Sequence, residues 1–434
     1  MNSKKFNSKQ HKISKADISP LALEVLAQLR VSGYESQLVG GCVRDLMLGL
    51  KPKDFDVTTN ASPEEIKGVF HKARLVGRRF RLAHIRRGRE IIEVSTYRAN
   101  PDDEQSDDGE VYHSDHGRLL SDNVYGTQEQ DAVRRDFTIN ALYYDASDET
   151  VIDYVGGVED LEKGILKIIG DPDKRYREDP VRMLRAVRIG AKVGFQIEAH
   201  SADPILRLGS LLSHVPPARL YDEVLKLFHH GAAFETFKQL RRYDLFQYLF
   251  PLVDRYLNGP EKAKTEKMLK WVFTNTDARV NLGKPVIAAF LFSVLLWLPL
   301  VKRQKDLVHS GNKEHDAFHI AKDELISNQS HTVSMPRRMT AQMYDIWAMQ
   351  PRLESISARQ VRRLLEHRKF RAAYDFLLMR GEIGEVDQKL CDWWTRLQEV
   401  DVGEQEQMIR SASPTQKRGR RRRPKRPNRQ QRVA

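Results

Sequence analysis

Cysteine is nearly absent from this 434-residue chain: only Cys42 and Cys391 occur, far apart in sequence. Two such residues provide neither a disulfide framework nor a metal-ligand spacing, and a reducing compartment follows as the simplest setting. Long hydrophobic runs are also missing. The longest, from Pro285 to Val301, falls short of the roughly 20 apolar residues that a membrane-spanning helix needs, so it reads as a buried core helix. The first residues are rich in Lys and Ser and contain no apolar segment. No secretory signal is therefore read, and the cytoplasm is the expected location. Acidic residues are lacking in one place above all: residues 417–434 hold ten Lys and Arg and no Asp or Glu. Of the net charge of +13, those ten leave about +3 for the remaining 416 residues. Such a run cannot fold on itself and neutralises phosphates well, which makes its centre, Arg421, Arg422 and Arg423, an expected RNA contact.

With 40% hydrophobic and 30% charged residues, the length predicts a globular chain of several domains with disordered ends. Residues 1–18 read as a disordered arm. Ala22, Val25, Leu26 and Leu29 then mark an amphipathic helix. Short strand-like runs follow around Gln37, Phe55, Ala73, Leu82 and Ile91. Ser62, Pro63 and Glu65 stand at the N-cap, first and third positions of a helix predicted from Pro63 to Phe70. Residues 100–117 carry seven acidic groups and read as a mobile loop. Beyond Tyr176 helical periodicity replaces strand signals, and Lys302 to Asp316 is polar enough for a linker. The expected organisation is an α+β head over 19–170, a helical neck over 171–255, a helical body over 256–405 and a disordered basic tail over 406–434.

The sharpest constellation is a Gly40-Gly41 turn after the apolar run Leu38-Val39, followed by Asp54-Phe55-Asp56. Residues i and i+2 of a strand share a face, so Asp54 and Asp56 would stand side by side. Two such like charges need neutralising, and Mg²⁺ bound by carboxylate and phosphate oxygens does this. Glycine between a strand and a helix lets the backbone approach a phosphate. The pattern points to nucleotidyl transfer.

The stretch Gly40-Gly-Cys-Val-Arg-Asp45, the pair Asp54 and Asp56, the segment Arg134-Arg-Asp-Phe-Thr-Ile-Asn-Ala-Leu142 and the segment Arg177-Glu-Asp-Pro-Val-Arg-Met-Leu-Arg-Ala-Val-Arg188 resemble, in this order, the motifs of the class II nucleotidyltransferases. That superfamily contains CCA-adding tRNA enzymes and bacterial poly(A) polymerases. The resemblance implies a polymerase-β-like head of mixed sheet and helices followed by an all-helical neck and body. It implies two Mg²⁺ ions on Asp54 and Asp56, with Asp136 as a further catalytic carboxylate in preference to Glu93. It also implies nucleotide contacts from Gly40, Gly41, Arg44, Arg135, Asn140, Asp179, Arg182 and Arg188. Asp179 and Arg182 are three apart and would face a base edge together.

Within the superfamily, the segment Leu75-Val-Gly-Arg-Arg-Phe80 resembles a signature of the poly(A) branch, and Arg78 and Arg79 are expected RNA contacts. The Arg-rich stretch around Arg359, Arg362, Arg363, Arg368 and Lys369 and the basic end point the same way. The implied activity is template-independent addition of AMP from ATP to RNA 3′-OH ends. A CCA-adding tRNA enzyme is the alternative, and a non-catalytic RNA-binding protein the second. Expected partners are RNA 3′ ends, ATP and the RNA-degradation machinery; the chain is expected to be a monomer with no membrane span.

Overall fold

The computed structural model describes residues 3–77, 81–99 and 124–412. Arg78, Arg79, the acidic segment 100–117 and the basic run with Arg421, Arg422 and Arg423 lie outside the described residues. The chain divides into two compact units, one of residues 1–251 with 331–334 and one of residues 252–330 with 335 onward.

The first unit is built on a sheet of β1 (Lys4–Phe6), β2 (Ser36–Val39), β3 (Asp56–Thr59), β4 (Arg74–Val76), β5 (Leu82–Arg87), β6 (Glu90–Thr96), β7 (Leu142–Asp145) and β8 (Thr150–Asp153). Its order is β1-β8-β7-β2-β3-β6-β5-β4. Every pairing is antiparallel except β3 with β6, which run parallel and set Asp56 opposite Glu93. Helix α1 (Pro20–Val31) buries Leu21, Ala22, Val25, Leu26 and Leu29, the stripe that the 3.6-residue period requires. A short α2 (Gly41–Met47) follows β2, and α3 (Pro63–Val69) starts with the full capping box of Ser62 and Glu65. Val39, Tyr97, Ala132, Tyr143, Ile152 and Ile169 form a buried cluster of this unit, together with α4 (Gln128–Arg134).

Two expectations change here. The arm 1–18 is not disordered over its described part. Lys4–Phe6 pairs with Val151–Asp153, and Lys15–Asp17 forms a 3-10 turn capped by Ser14. Nor is the neck a separate body, because α5 (Gly157–Lys163), α6 (Pro172–Glu178), α7 (Val181–Val193), α8 (Ala199–Leu208), α9 (Pro217–Phe228) and α10 (Ala233–Arg242) belong to the same unit as the sheet. Ion pairs from α7 into the sheet's connections, described below, are a physical reason.

The second unit is helical. The first unit ends after α11 (Phe246–Leu249), and from α12 (Pro251–Leu257) onward come α13 (Lys262–Asn281), α14 (Ala288–Leu295), α15 (Trp297–His309), α16 (Glu314–Thr332), α17 (Arg337–Glu354), α18 (Ala358–Leu365), α19 (Phe370–Glu382), α20 (Gln388–Glu399) and α21 (Val402–Ser411). The long apolar run forms two buried helices broken at Leu296, and among the described residues no helix is long and apolar enough to cross a membrane. Lys302 to Asp316 is no linker. Helix α15 continues to His309 because Leu300 and Leu307, two turns apart, stay buried while its Lys and Arg face water. Residues 406–411, expected in the tail, complete α21, whose Glu406 pairs with Arg362 of α18. Arg380 is also structural: it is buried against Glu354 at 2.6 Å and lies 5.0 Å over the Trp297 ring.

Candidate active site

β2 ends in Gly40, whose φ of +82° is open to glycine and strained for other residues. A Cβ placed there would stand 3.6 Å from Arg135 Nη1, 3.9 Å from the Asn140 carbonyl oxygen and 4.0 Å from Asp56 Oδ2. Backbone, cation and carboxylate therefore converge on one point where a phosphate could reach the main chain. Gly41 opens α2, and Cys42 behind it is buried, its thiol pushed up to about 12 by burial and then by Asp56. That thiol stays protonated and unreactive.

Asp56 is the first residue of β3, whereas Asp54 is exposed and precedes the strand, so the two carboxylates are not both in a strand as expected. Glu93 lies opposite Asp56 on β6. Burial, then repulsion by Glu93 and by Asp54, with Arg135 opposing, pushes the Asp56 carboxyl up to about 6. A carboxylate held at such a disadvantage is a ready ligand for a cation. Among the described residues no three His, Cys, Asp or Glu side chains already form a metal cage, and the Glu93 carboxylate sits 3.4 Å from His84 Nε2. Mg²⁺ characteristically binds through one or two carboxylates plus substrate phosphates, so this donor set fits it.

Asp136 has a different environment. It follows α4 and precedes the 3-10 turn Thr138–Asn140, not a helix. Its Oδ1 accepts from the Phe137 amide at 2.9 Å and from Asn140 Nδ2 at 3.2 Å, and its Oδ2 accepts from Arg185 Nε at 2.7 Å. Burial alone would raise it, but Arg185 and these donors hold it down to about 2. Both oxygens of the carboxylate expected on the metal are thus engaged by the protein. The neighbouring charges that act on Asp56 come from Glu93, Arg135 and Asp54 instead.

Arg44 is buried and bonds Asp45 Oδ1 at 2.6 and 2.9 Å and Asn140 Oδ1 at 2.8 Å, and Lys192 reaches Asp45 Oδ2 at 2.8 Å. A continuous chain of contacts therefore runs Lys192, Asp45, Arg44, Asn140, Asp136, Arg185. It begins and ends on α7, where Arg185 and Lys192 are two turns apart on one face. Arg135 is clamped by Asp131 and Tyr143, with Nη2 to Asp131 at 2.8 Å and Nε to the Tyr143 hydroxyl at 3.2 Å. This leaves its Nη1 on the Gly40 side.

Asp179 lies in the break between α6 and α7, with Arg182 in the first turn beyond it. They do not meet. Arg219 of α9 donates to Asp179 Oδ2 at 2.6 Å, while Arg182 Nη1 donates to Glu178 Oε2 at 3.0 Å and to the Arg175 carbonyl at 2.7 Å. Burial and neighbouring arginines bring Arg175 and Arg188 down to about 10. Arg188 Nε, Arg219 Nη1, Glu223 Oε2, His229 Nε2 and His230 Nδ1 are buried without a hydrogen-bond partner. Burial, then Arg188, Lys53 and Lys192, lowers His230 to about 4. Crowded cations with spare donors suit a polyanion. Sequence reasoning assigned no role to Asp45, Arg175, Lys192 or Arg219, and it read Arg185 as a contact to triphosphate or RNA, whereas Arg185 is held on Asp136. Asp45, Arg185 and Arg175 lie in or beside the quoted motifs, and Lys192 follows Arg185 by two helical turns, but nothing local marks Arg219.

The Poly A polymerase head domain matches residues 36–167, the Probable RNA and SrmB-binding site of polymerase A matches 194–257, and the Polymerase A arginine-rich C-terminus matches 310–430. The chain is 48% identical over 404 residues to poly(A) polymerase I of Escherichia coli, covering 92% of this chain and 87% of that one. It is 47% identical over 403 residues to poly(A) polymerase I of Haemophilus influenzae, covering 92% and 89%. A CCA-adding enzyme of Geobacillus thermodenitrificans is 36% identical over 234 residues, or 54% of this chain and 55% of that one. The crystal structure of the Bacillus stearothermophilus CCA-adding enzyme in complex with CTP superposes with a TM-score of 0.61 at 22% identity, covering 87% of this chain and 82% of that one, and so shares the fold. With a polymerase-β-like head, a helical body and this extent of identity, the chain belongs to the poly(A) polymerase family.

Proposed function

We propose that the protein adds AMP from ATP to the 3′-OH of RNA without a template. The 3′-oxygen bonds to the α-phosphorus, the bond from that phosphorus to the β-phosphate oxygen breaks, and pyrophosphate leaves. The observation that carries this reading is the set of carboxylates Asp54, Asp56 and Glu93 beside the positive-φ turn at Gly40, with Asp56 pushed up to about 6.

Each part of the site has a task. Asp54 and Asp56, with Glu93 in place of Asp136, would hold Mg²⁺, which when bound supplies positive charge to the attacking oxygen and the departing pyrophosphate. The Gly40 main chain and Arg135 Nη1 receive triphosphate oxygens, and the crowded Arg175 and Arg188 are relieved by its negative charge. Asp179 and Arg182 offer opposite hydrogen-bonding patterns to an adenine edge once Arg182 leaves Glu178. Arg44 and Asn140 do not need to touch the nucleotide: they fix Asp45 and Asp136, and through them α7. Arg78, Arg79 and Arg421–Arg423 remain the proposed RNA contacts outside the described residues. The two buried, unpaired cysteines suit the cytoplasm, and the same reading includes a monomer that meets the RNA-degradation machinery.

Incubating the protein and Mg²⁺ with an unstructured oligoribonucleotide and each nucleoside triphosphate separately tests the proposal. A ladder with ATP alone is expected. Addition of CMP to a tRNA lacking its end, with no ATP ladder, would make the chain a CCA-adding enzyme, and no addition from any triphosphate would make it a binding protein.

A further inference from the structure

Beside the catalytic carboxylates lies a cavity of about 550 Å³ that the reading above leaves unused. Asp54 lines it and Asp56 does not; Asp56 instead turns Oδ2 toward Gly40. Asp54 therefore contributes to the cavity wall, while Asp56, two residues on, reaches the phosphate-receiving turn. Along β6, Ile91 and Glu93 are two residues apart and share the exposed face, so the face carrying the third carboxylate continues into the cavity wall. Ile91 is 41% exposed, an apolar side chain of a kind that usually packs.

Lys51, Lys53 and Arg89 also line the cavity, and none of them forms an ion pair among the described residues. The acids of the wall are Asp17, Asp54 and Glu90, the last of which accepts from the Ser19 hydroxyl. An apolar surface between unpaired cations suits a nucleotide, with its base or ribose on Ile91 and its phosphodiester on Lys51 and Arg89. The volume lies in the range of small-ligand sites and excludes a duplex.

We propose that this cavity is the subsite for the 3′-terminal nucleotides of the RNA acceptor, with Lys51, Arg89 and Ile91 as positioning residues that bring the 3′-oxygen to Asp54 from the side opposite the triphosphate. The proposal rests on the adenylyltransferase reading and adds where its acceptor lies. One wall, residues 16–20, comes from before the matched head domain at 36–167, so the subsite uses a part of the chain that the family pattern does not cover.

The test uses the full chain and a five-nucleotide oligo(A) ending in 3′-deoxyadenosine, which binds but cannot be extended. The double variant Lys51→Glu/Arg89→Glu should bind it about tenfold more weakly, and the salt slope of log K should flatten by about 1.4, the value for two lost phosphate contacts on a single strand. With extendable RNA, KM for RNA should rise while KM for ATP stays unchanged. Ile91→Ser, at an exposed position, should weaken the same oligonucleotide with no change in salt slope and an unchanged melting temperature. Unaltered oligonucleotide binding in both variants overturns the proposal, as does a raised KM for ATP with unaltered oligonucleotide binding, which would make the cavity a triphosphate or pyrophosphate site. Because the binding measurement needs no turnover, a wild-type protein that binds the oligonucleotide here but uses CTP would overturn the adenylylation reading and leave the subsite standing.

Discussion

Asp136 and Arg185 are 49 positions apart in sequence, and the Arg185 Nε donates to Asp136 Oδ2 at 2.7 Å. With Lys192 on Asp45 two turns along the same helix, this pair fixes the angle at which α7 meets the residues around the sheet. The segment proposed to select the nucleotide, Asp179–Arg182, leads into the start of that helix. These contacts support the proposal that Asp136 positions this helix.

Removing either carboxylate proposed to hold Mg²⁺ should stop the reaction and leave the fold intact. Asp54→Ala and Asp56→Asn are expected to lower the rate by several orders of magnitude. Because the Asp56 pKa is raised from 3.8 to about 6, its ionised form opposes folding above that pH by about 3 kcal/mol. This penalty vanishes as pH falls through 6 toward 4. Metal-free Asp56→Asn should therefore melt higher than wild type at pH 7 and no higher at pH 4; calorimetry at the two values decides it.

Glu93→Gln should shift the Mg²⁺ dependence of the rate to higher concentration without destabilising the protein, since Glu93 is half exposed. Asp136→Asn should leave the midpoint of that titration in place. A Mg²⁺ midpoint displaced by Asp136→Asn and not by Glu93→Gln would reverse the assignment.

Asp136→Asn should instead cost stability. Its pKa is depressed to about 2, so the ionised carboxylate contributes about 2 kcal/mol that is present above the unfolded value near 4 and lost as pH falls from about 4 to 2. In the variant this portion of the acid-unfolding curve should flatten, which urea melts across that range will show.

Arg219→Ala frees the Asp179 carboxylate from the partner that orients it. The preference for ATP over CTP, measured as a ratio of kcat/KM, should fall by about tenfold, while RNA binding stays as it was.

Deleting residues 417–434 removes ten positive charges. KM for long RNA should rise and its salt dependence flatten, with kcat at saturating RNA and KM for ATP unchanged. An identical salt slope in both proteins would place the RNA-binding surface elsewhere.

What the sequence could reveal divides along the distance over which each signal acts. The capping box at Ser62, the turn at Gly40 and the stripe of α1 depend on neighbours a few residues away, and they read correctly. The anchoring of Asp136 was not legible because its partner Arg185 is on another helix, and Arg219 was silent for the same reason. β1 had no local signal at all: Lys4 and Lys5 look like an arm until Val151–Asp153 offers them a sheet edge. The polar surface of α15 hid a helix because beyond Val301 only Leu307 is buried.

That edge strand also bears on how the protein comes off the ribosome. Phe6 is made some 145 residues before its partner Val151, at about 5–20 residues per second. The sheet's outer edge therefore stays open for seconds while the rest of the head is synthesised. Contacts so distant in sequence close slowly even in a finished chain, which makes this strand the last of the sheet to be sealed during synthesis.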